Sequence, residues 1–165
     1  MGNSVRLLLD THTFLFAIAD PAELPPRLRG LLLDPLVERW VSVVTHWEIA
    51  TKVSIGKLDM PSDSAFYVRQ IANLQAKTLN VNLRHSLGMH GLPMHHRDPF
   101  DRLLISQAIV ENLTLASRDR CFREYAVEWI PLIALALIGS GRYLGLDEAS
   151  SKLLPPALRR WPLTG

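Results

Sequence analysis

The 165-residue chain has a single cysteine, Cys121, which excludes an intramolecular disulfide and suits a reducing, cytoplasmic setting. It has no long hydrophobic run. The apolar stretch at residues 5–9 is far too short for a signal peptide or membrane span, and the eight apolar residues at 131–138 are too short to cross a bilayer. No membrane partner is expected. Charge of one sign is also missing: 18 Lys/Arg face 16 Asp/Glu. Residues 1–130 hold 14 of each, while residues 131–165 hold 4 basic and 2 acidic side chains, so the small excess lies at the C-terminal end. If the main region binds nucleic acid, it must do so through a local patch rather than a global field. There is no H-x-x-x-H pair and no Cys/His set among the six histidines, and adjacent His95 and His96 point different ways on a regular backbone, which argues against zinc. No internal repeat or low-complexity linker precedes residue 131.

What is present is the composition of a soluble globular domain, 48% hydrophobic and 21% charged. Residues 5–9 read as a parallel strand buried on both faces, followed by helices at 13–19 and 26–33. Residues 40–44, rich in β-branched side chains, read as a second strand. Thr45 and Glu48 then form a T-x-x-E capping box that opens a helix to about Ile55, with Gly56 as its stop. A helix from Ser62-Asp63 to Gln75, a strand at 79–83 and a short helix at 84–89 follow. Asp98-Pro99 opens a helix that runs to Asn112, with Asp98 as N-cap, Pro99 at the first helical position and Asp101 at the third. Residues 113–117 and 127–130 read as further strands, with a short helix ending at Tyr125 between them. Alternating strands and helices predict an α/β sandwich of three layers around a mostly parallel sheet. The expected domain spans 1–130, and 131–165 form an atypical C-terminal extension.

Ligands of parallel α/β sheets bind beyond the C-terminal ends of the strands, and four acids sit at such boundaries. Asp10 ends the first strand. Asp119 lies two residues past residue 117. Glu48 and Asp101 both read as third residues of helices. Each has an ordinary explanation as a cap or turn residue, but those explanations do not require all four to face one cleft. If they converge, the carboxylates need protons or a cation. All-oxygen ligands favour Mg²⁺ or Mn²⁺, which activates water and stabilises charge on a phosphoryl oxygen. Lys52, Arg97, Arg102, Arg118 and Arg120 lie near these acids in sequence; surface solvation is the default for each, and together they would suit phosphate. His12 and His46 read as substrate contacts or polar loop residues, and Trp47 and Phe100 as core anchors.

The run Leu8-Leu9-Asp10-Thr11-His12, then Val41-Ser42, Trp47-Glu48-Ile49-Ala50, Lys52 and Gly56-Lys57-Leu58, resembles PIN-domain ribonucleases of the VapC toxin type. Residues 95–102 and 114–119 continue the match in order, and it covers roughly 5–130. The resemblance implies a PIN-like fold and a Mg²⁺- or Mn²⁺-dependent endoribonuclease toxin that cleaves RNA to inhibit translation. It also implies neutralisation by a cognate antitoxin, and a homodimer. Asp10 and Asp101 would be the main metal ligands, Asp119 a ligand directly or through water, and Glu48 an outer group or one orienting the attacking water. Asp98 lies beside them, with N-cap duty accounting for it, and Ser117 matches a hydroxyl that would hold a ligating carboxylate. Two rivals stand beside this reading. One is an aspartyl-phosphate phosphatase, although His12 occupies the place where that chemistry wants a second acid. The other is a PIN-like binding module without activity. Residues 131–165 depart from the family pattern.

Overall fold

A computed structural model describes residues 5–95, 97–117, 125 and 129–131. Five strands form one all-parallel sheet: β1 (Arg6–Leu9), β2 (Glu38–Ser42), β3 (Lys77–Leu79), β4 (Thr114–Ser117) and β5 (Trp129–Pro131). Their order is β3-β2-β1-β4-β5. The chain builds outward from β1 through β2 to β3, then crosses back to lay β4 on the other side of β1. The direction therefore reverses between β1 and β4, and parallel sheets open a crevice at the carboxyl ends of the strands at such a point. Among the described residues, six α-helices lie between the strands: α1 (Thr11–Ala19), α2 (Pro26–Leu33), α3 (Val43–Ser54), α4 (Ser64–Asn73), α5 (Leu83–Gly88) and α6 (Pro99–Glu111).

Alternation along the strands explains the layering. Leu7 and Leu9 of β1, Val41 of β2 and Ala116 of β4 pack with α1, Leu28, Ile49 and Phe66 in one core. Leu8 and Leu115 point the other way, into a second core with Leu103, Leu104, Ile105 and Ala108 of α6. Both faces of the sheet are thus covered, as a continuous apolar strand such as β1 requires. The result is the expected three-layer α/β sandwich.

Several boundaries differ from the sequence reading: α1 starts at Thr11 rather than residue 13, and β2 at Glu38 rather than residue 40. The second strand ends at Ser42, whose Oγ accepts the Val44 N–H at 3.0 Å and caps α3. Val43 and Val44 have strand propensity, but full burial of Val44 on the helix decides the matter. Thr45 is consequently no N-cap, and Glu48 lies one turn deeper in α3 than a capping box requires; the buried Thr45 hydroxyl has no hydrogen-bond partner. The third strand is Lys77–Leu79 rather than 79–83, because Asn82 caps α5 by accepting the His85 N–H while His85 Nδ1 accepts the Asn82 N–H. The remaining starts and stops follow local chemistry. Asp63 caps α4, Gly56 ends the α3 turn at φ +69°, and Asn112 takes the left-handed C-terminal position of α6. The predicted helix ending at Tyr125 and the 131–165 extension lie outside the described residues, apart from Tyr125 and Pro131 themselves.

Candidate active site

Asp10 stands at the β1–β4 reversal and is 3% exposed. Its backbone N–H donates to the Ala116 carbonyl at 3.1 Å, which carries the β1–β4 pairing one residue past the strand. Its side chain caps α1: Oδ1 accepts the Thr13 N–H at 2.6 Å. Oδ2 accepts the Ser117 hydroxyl at 2.5 Å from the end of β4. Thr13 Oγ1 also donates to the Ala116 carbonyl, at 2.9 Å. The start of α1 is therefore clamped to the end of β4, and the carboxylate between them is fixed. Burial pushes the Asp10 carboxyl above its ordinary range, against the opposing pull of the His12 charge and of the Ser117 and Thr13 donors. No lysine or arginine pairs with it among the described residues.

Glu48 is also buried, and reaches this region from α3, which packs against α1. Its Oε2 accepts the Thr11 hydroxyl at 2.5 Å, and its Oε1 is held by the Lys52 ammonium one turn on. The pair is sealed from solvent, with both residues under one-tenth exposed. Lys52 is thus no solvated surface cation. Arg102 is likewise committed elsewhere: its guanidinium donates to the carbonyls of Pro93, Met89 and Leu92 and staples the loop ahead of α6.

Asp98 and Asp101 sit as expected at the start of α6. Asp98 Oδ1 accepts the Phe100 N–H at 2.8 Å and the Asp101 N–H at 3.4 Å. This places Asp101 at the third helical position, facing the positive helix end. The α6 start meets α3 through Trp47 and Phe100, whose rings pack edge to face at 5.0 Å. The neighbours of Glu48 and Asp101 in sequence are therefore in contact. Trp47 is no core anchor: it is 60% exposed. His46 turns away to stack edge-on against Tyr67 of α4, 4.7 Å between centroids.

The structure joins Asp10 to Ser117 and fixes Glu48 on the neighbouring helix, with Asp101 on the next. Among the described residues, no three acid, histidine or cysteine side chains come together as a group able to hold a metal ion. Asp119, Arg118, Arg120 and His96 lie outside the described residues. Sequence reasoning missed Thr11 and Thr13 as carboxylate partners, although Thr13 follows Asp10 at helix-capping spacing; nothing local marks Thr11 as the partner of Glu48. It also missed Gln107, whose Oε1 accepts the Ser42 hydroxyl at 2.6 Å and whose Nε2 reaches the Asn80 carbonyl at 3.3 Å, tying α6 to the α3 start. A glutamine amid the apolar residues of α6 was the available sign of that tie.

The PIN domain family model matches residues 7–128. Among solved structures, a chain of VapBC2 from Rickettsia felis, determined bound to a DNA fragment from their promoter, aligns with TM-score 0.56 and 16% identity over 77% of this chain and 98% of that one. A chain of DNA-bound VapBC from Salmonella typhimurium aligns at 0.51 and 16% identity, covering 78% and 98%. One of VapBC-1 from nontypeable Haemophilus influenzae aligns at 0.52 and 17% identity, over the same shares. A search of curated proteins finds no match. At such identities the structural likeness speaks for the fold, while the family model spans most of the sequence: the chain belongs to the PIN domain family.

Proposed function

We propose that this protein is a Mg²⁺- or Mn²⁺-dependent endoribonuclease of the VapC toxin type. The observation that carries this reading is Asp10, a buried carboxylate at the sheet's reversal point with no lysine or arginine partner among the described residues and a carboxyl pushed up by burial despite the nearby His12 charge. A cation there supplies the missing counter-charge. The donor chemistry fits: the side chains gathered are carboxylates and hydroxyls, which suit a hard ion. Asp10, Asp101 and Asp119 would hold the ion. Unlike Asp10, Glu48 already has a counter-charge in the buried Lys52 ammonium, which supports an outer role that orients the attacking water. When bound, Mg²⁺ or Mn²⁺ lowers the pKa of a water and stabilises charge on the transferring phosphoryl oxygen. The chain's own part is positional. Ser117 and the Thr13 N–H fix the Asp10 carboxylate, and the Asp98 cap fixes the first turn of α6 that carries Asp101.

An aspartyl-phosphate phosphatase is less well supported, because His12 stands where a second acid is wanted and each Asp10 oxygen already holds a donor. The fold shared with VapBC chains supports a small antitoxin as protein partner, with RNA as substrate and a homodimer as assembly. The test is cleavage of RNA by purified wild type, Asp10→Asn and Asp101→Asn with Mg²⁺ or Mn²⁺, alongside circular dichroism and Mn²⁺ calorimetry. Both variants are expected to stay folded and to lose cleavage by at least about a hundredfold. Undiminished cleavage by both would overturn the assignment, and absence of Mn²⁺ binding to wild type would favour a non-catalytic module.

A further inference from the structure

A second unbalanced charge lies away from Asp10, near the other end of the sheet. Arg39 is the second residue of β2, in register with Leu7 at the start of β1. It is 8% exposed, so its guanidinium, which stays protonated in proteins, has left most of its water behind. Nη1 donates to the Leu32 carbonyl at 2.6 Å in the last turn of α2, and Nη2 reaches Gln75 Oε1 at 3.3 Å. Helix capping therefore accounts for part of the side chain. It does not account for Nε, which is buried without a hydrogen-bond partner. Nor does it account for the charge: no Asp or Glu among the described residues forms an ion pair with Arg39, and a buried cation balanced only by neutral acceptors is costly.

Arg39 also lines an open cavity of about 310 Å³. A second cation, Arg29 of α2, lines it too, and among the described residues it is held by a 3.4 Å contact with the Ala22 carbonyl. No acid pairs with Arg29 either among the described residues. The remaining walls are largely apolar, with Ala17, Leu24, Leu32 and Leu74 among them. Two guanidinium groups over apolar walls match a ligand with one anionic end and a short hydrocarbon body. The volume is at the small end of the range for small-molecule sites. Guanidinium groups prefer planar carboxylates, which accept two parallel donors.

We propose that this cavity, bounded by α1, α2, the N-terminal part of β2 and the end of α4, binds a small organic carboxylate through Arg39 and Arg29. The site is separate from Asp10, and the proposal does not depend on the nuclease reading.

Hexanoate serves as probe and 1-hexanol as its uncharged counterpart, titrated into the full chain by calorimetry with amide NMR shifts as the map. Saturable hexanoate binding is expected, with shifts at Arg29, Leu33 and Asn73, and at least about tenfold weaker binding of hexanol. Arg39→Gln is expected to abolish binding. Arg29→Gln, which removes only the 3.4 Å contact, is expected to weaken it by about tenfold and keeps the test open where Arg39→Gln does not fold. Equal affinity for hexanol would reduce the cavity to an apolar void and overturn the proposal. So would hexanoate binding that is indifferent to Arg29→Gln, or the absence of saturable binding.

Discussion

Asp10 combines two roles that pull stability in opposite directions. As an N-cap it holds α1, and an asparagine in its place can still accept the Thr13 N–H. As a buried carboxylate it costs energy when ionised, because burial raises its pKa. The sign follows directly. A raised carboxyl contributes stability that is fully present below the ordinary aspartate range and is lost as pH rises through its folded-state value. With chelator present, Asp10→Asn is therefore expected to melt higher than wild type at neutral pH, by roughly 2–4 °C if relief of the buried charge is worth about 1 kcal/mol. The gap should narrow as pH falls and the wild-type carboxyl takes up its proton. Thermal melts across pH check this, and a variant that melts lower at neutral pH would mean that capping outweighs the charge. The position of Asp10 was legible because a strand end leaves marks in local pattern, and its link to Ser117 was anticipated only through the family resemblance. The Thr11–Glu48 bond was not, since the two residues lie 37 apart in sequence and meet only through the packing of α1 on α3.

At the scale of elements, α3 and α6 show where local pattern misleads and where it suffices. In α3 the T-x-x-E spacing imitates a capping box, but Ser42 starts the helix earlier, and Glu48 then points into the protein to meet Thr11 and Lys52. Sequence could offer Lys52 as a cation four residues on; only tertiary burial shows that it is sealed in. Lys52→Met would leave Glu48 buried without its counter-charge, and is expected to cost about 3 kcal/mol in urea unfolding. The double variant with Glu48→Gln should recover most of that loss. Recovery failing would mean that the lysine stem, not the charge pair, holds α3 in place. In α6 the cap was readable in full, because Asp98-Pro99 is purely local chemistry. Here the two acids separate. Asp98→Asn preserves a capping oxygen and is expected to leave both stability and RNA cleavage near wild type, whereas Asp98→Ala should cost about 1 kcal/mol of stability. Loss of cleavage in a well-folded Asp98→Asn would give Asp98 a direct part in the site.

For the whole molecule, the strands were legible as apolar runs, but their order was not. Which side of β1 receives β4 is decided by how the α/β crossovers pack, and that order creates the crevice at Asp10. The boundary near residue 130 was read from a change in composition, and a truncated chain tests it. Among the described residues, those buried in the two cores lie between Leu7 and Tyr125, and the described sheet ends at Pro131. Both faces of β1 are covered by described residues that precede Pro131. A chain ending at residue 131 is expected to unfold in one cooperative step, with a melting temperature within roughly 4 °C of the full chain, a difference of about 1 kcal/mol. Its dependence on urea should be only slightly shallower, since that slope follows the surface exposed on unfolding. A broad, non-cooperative transition would instead make residues 132–165 part of the folding unit and move the domain boundary past them.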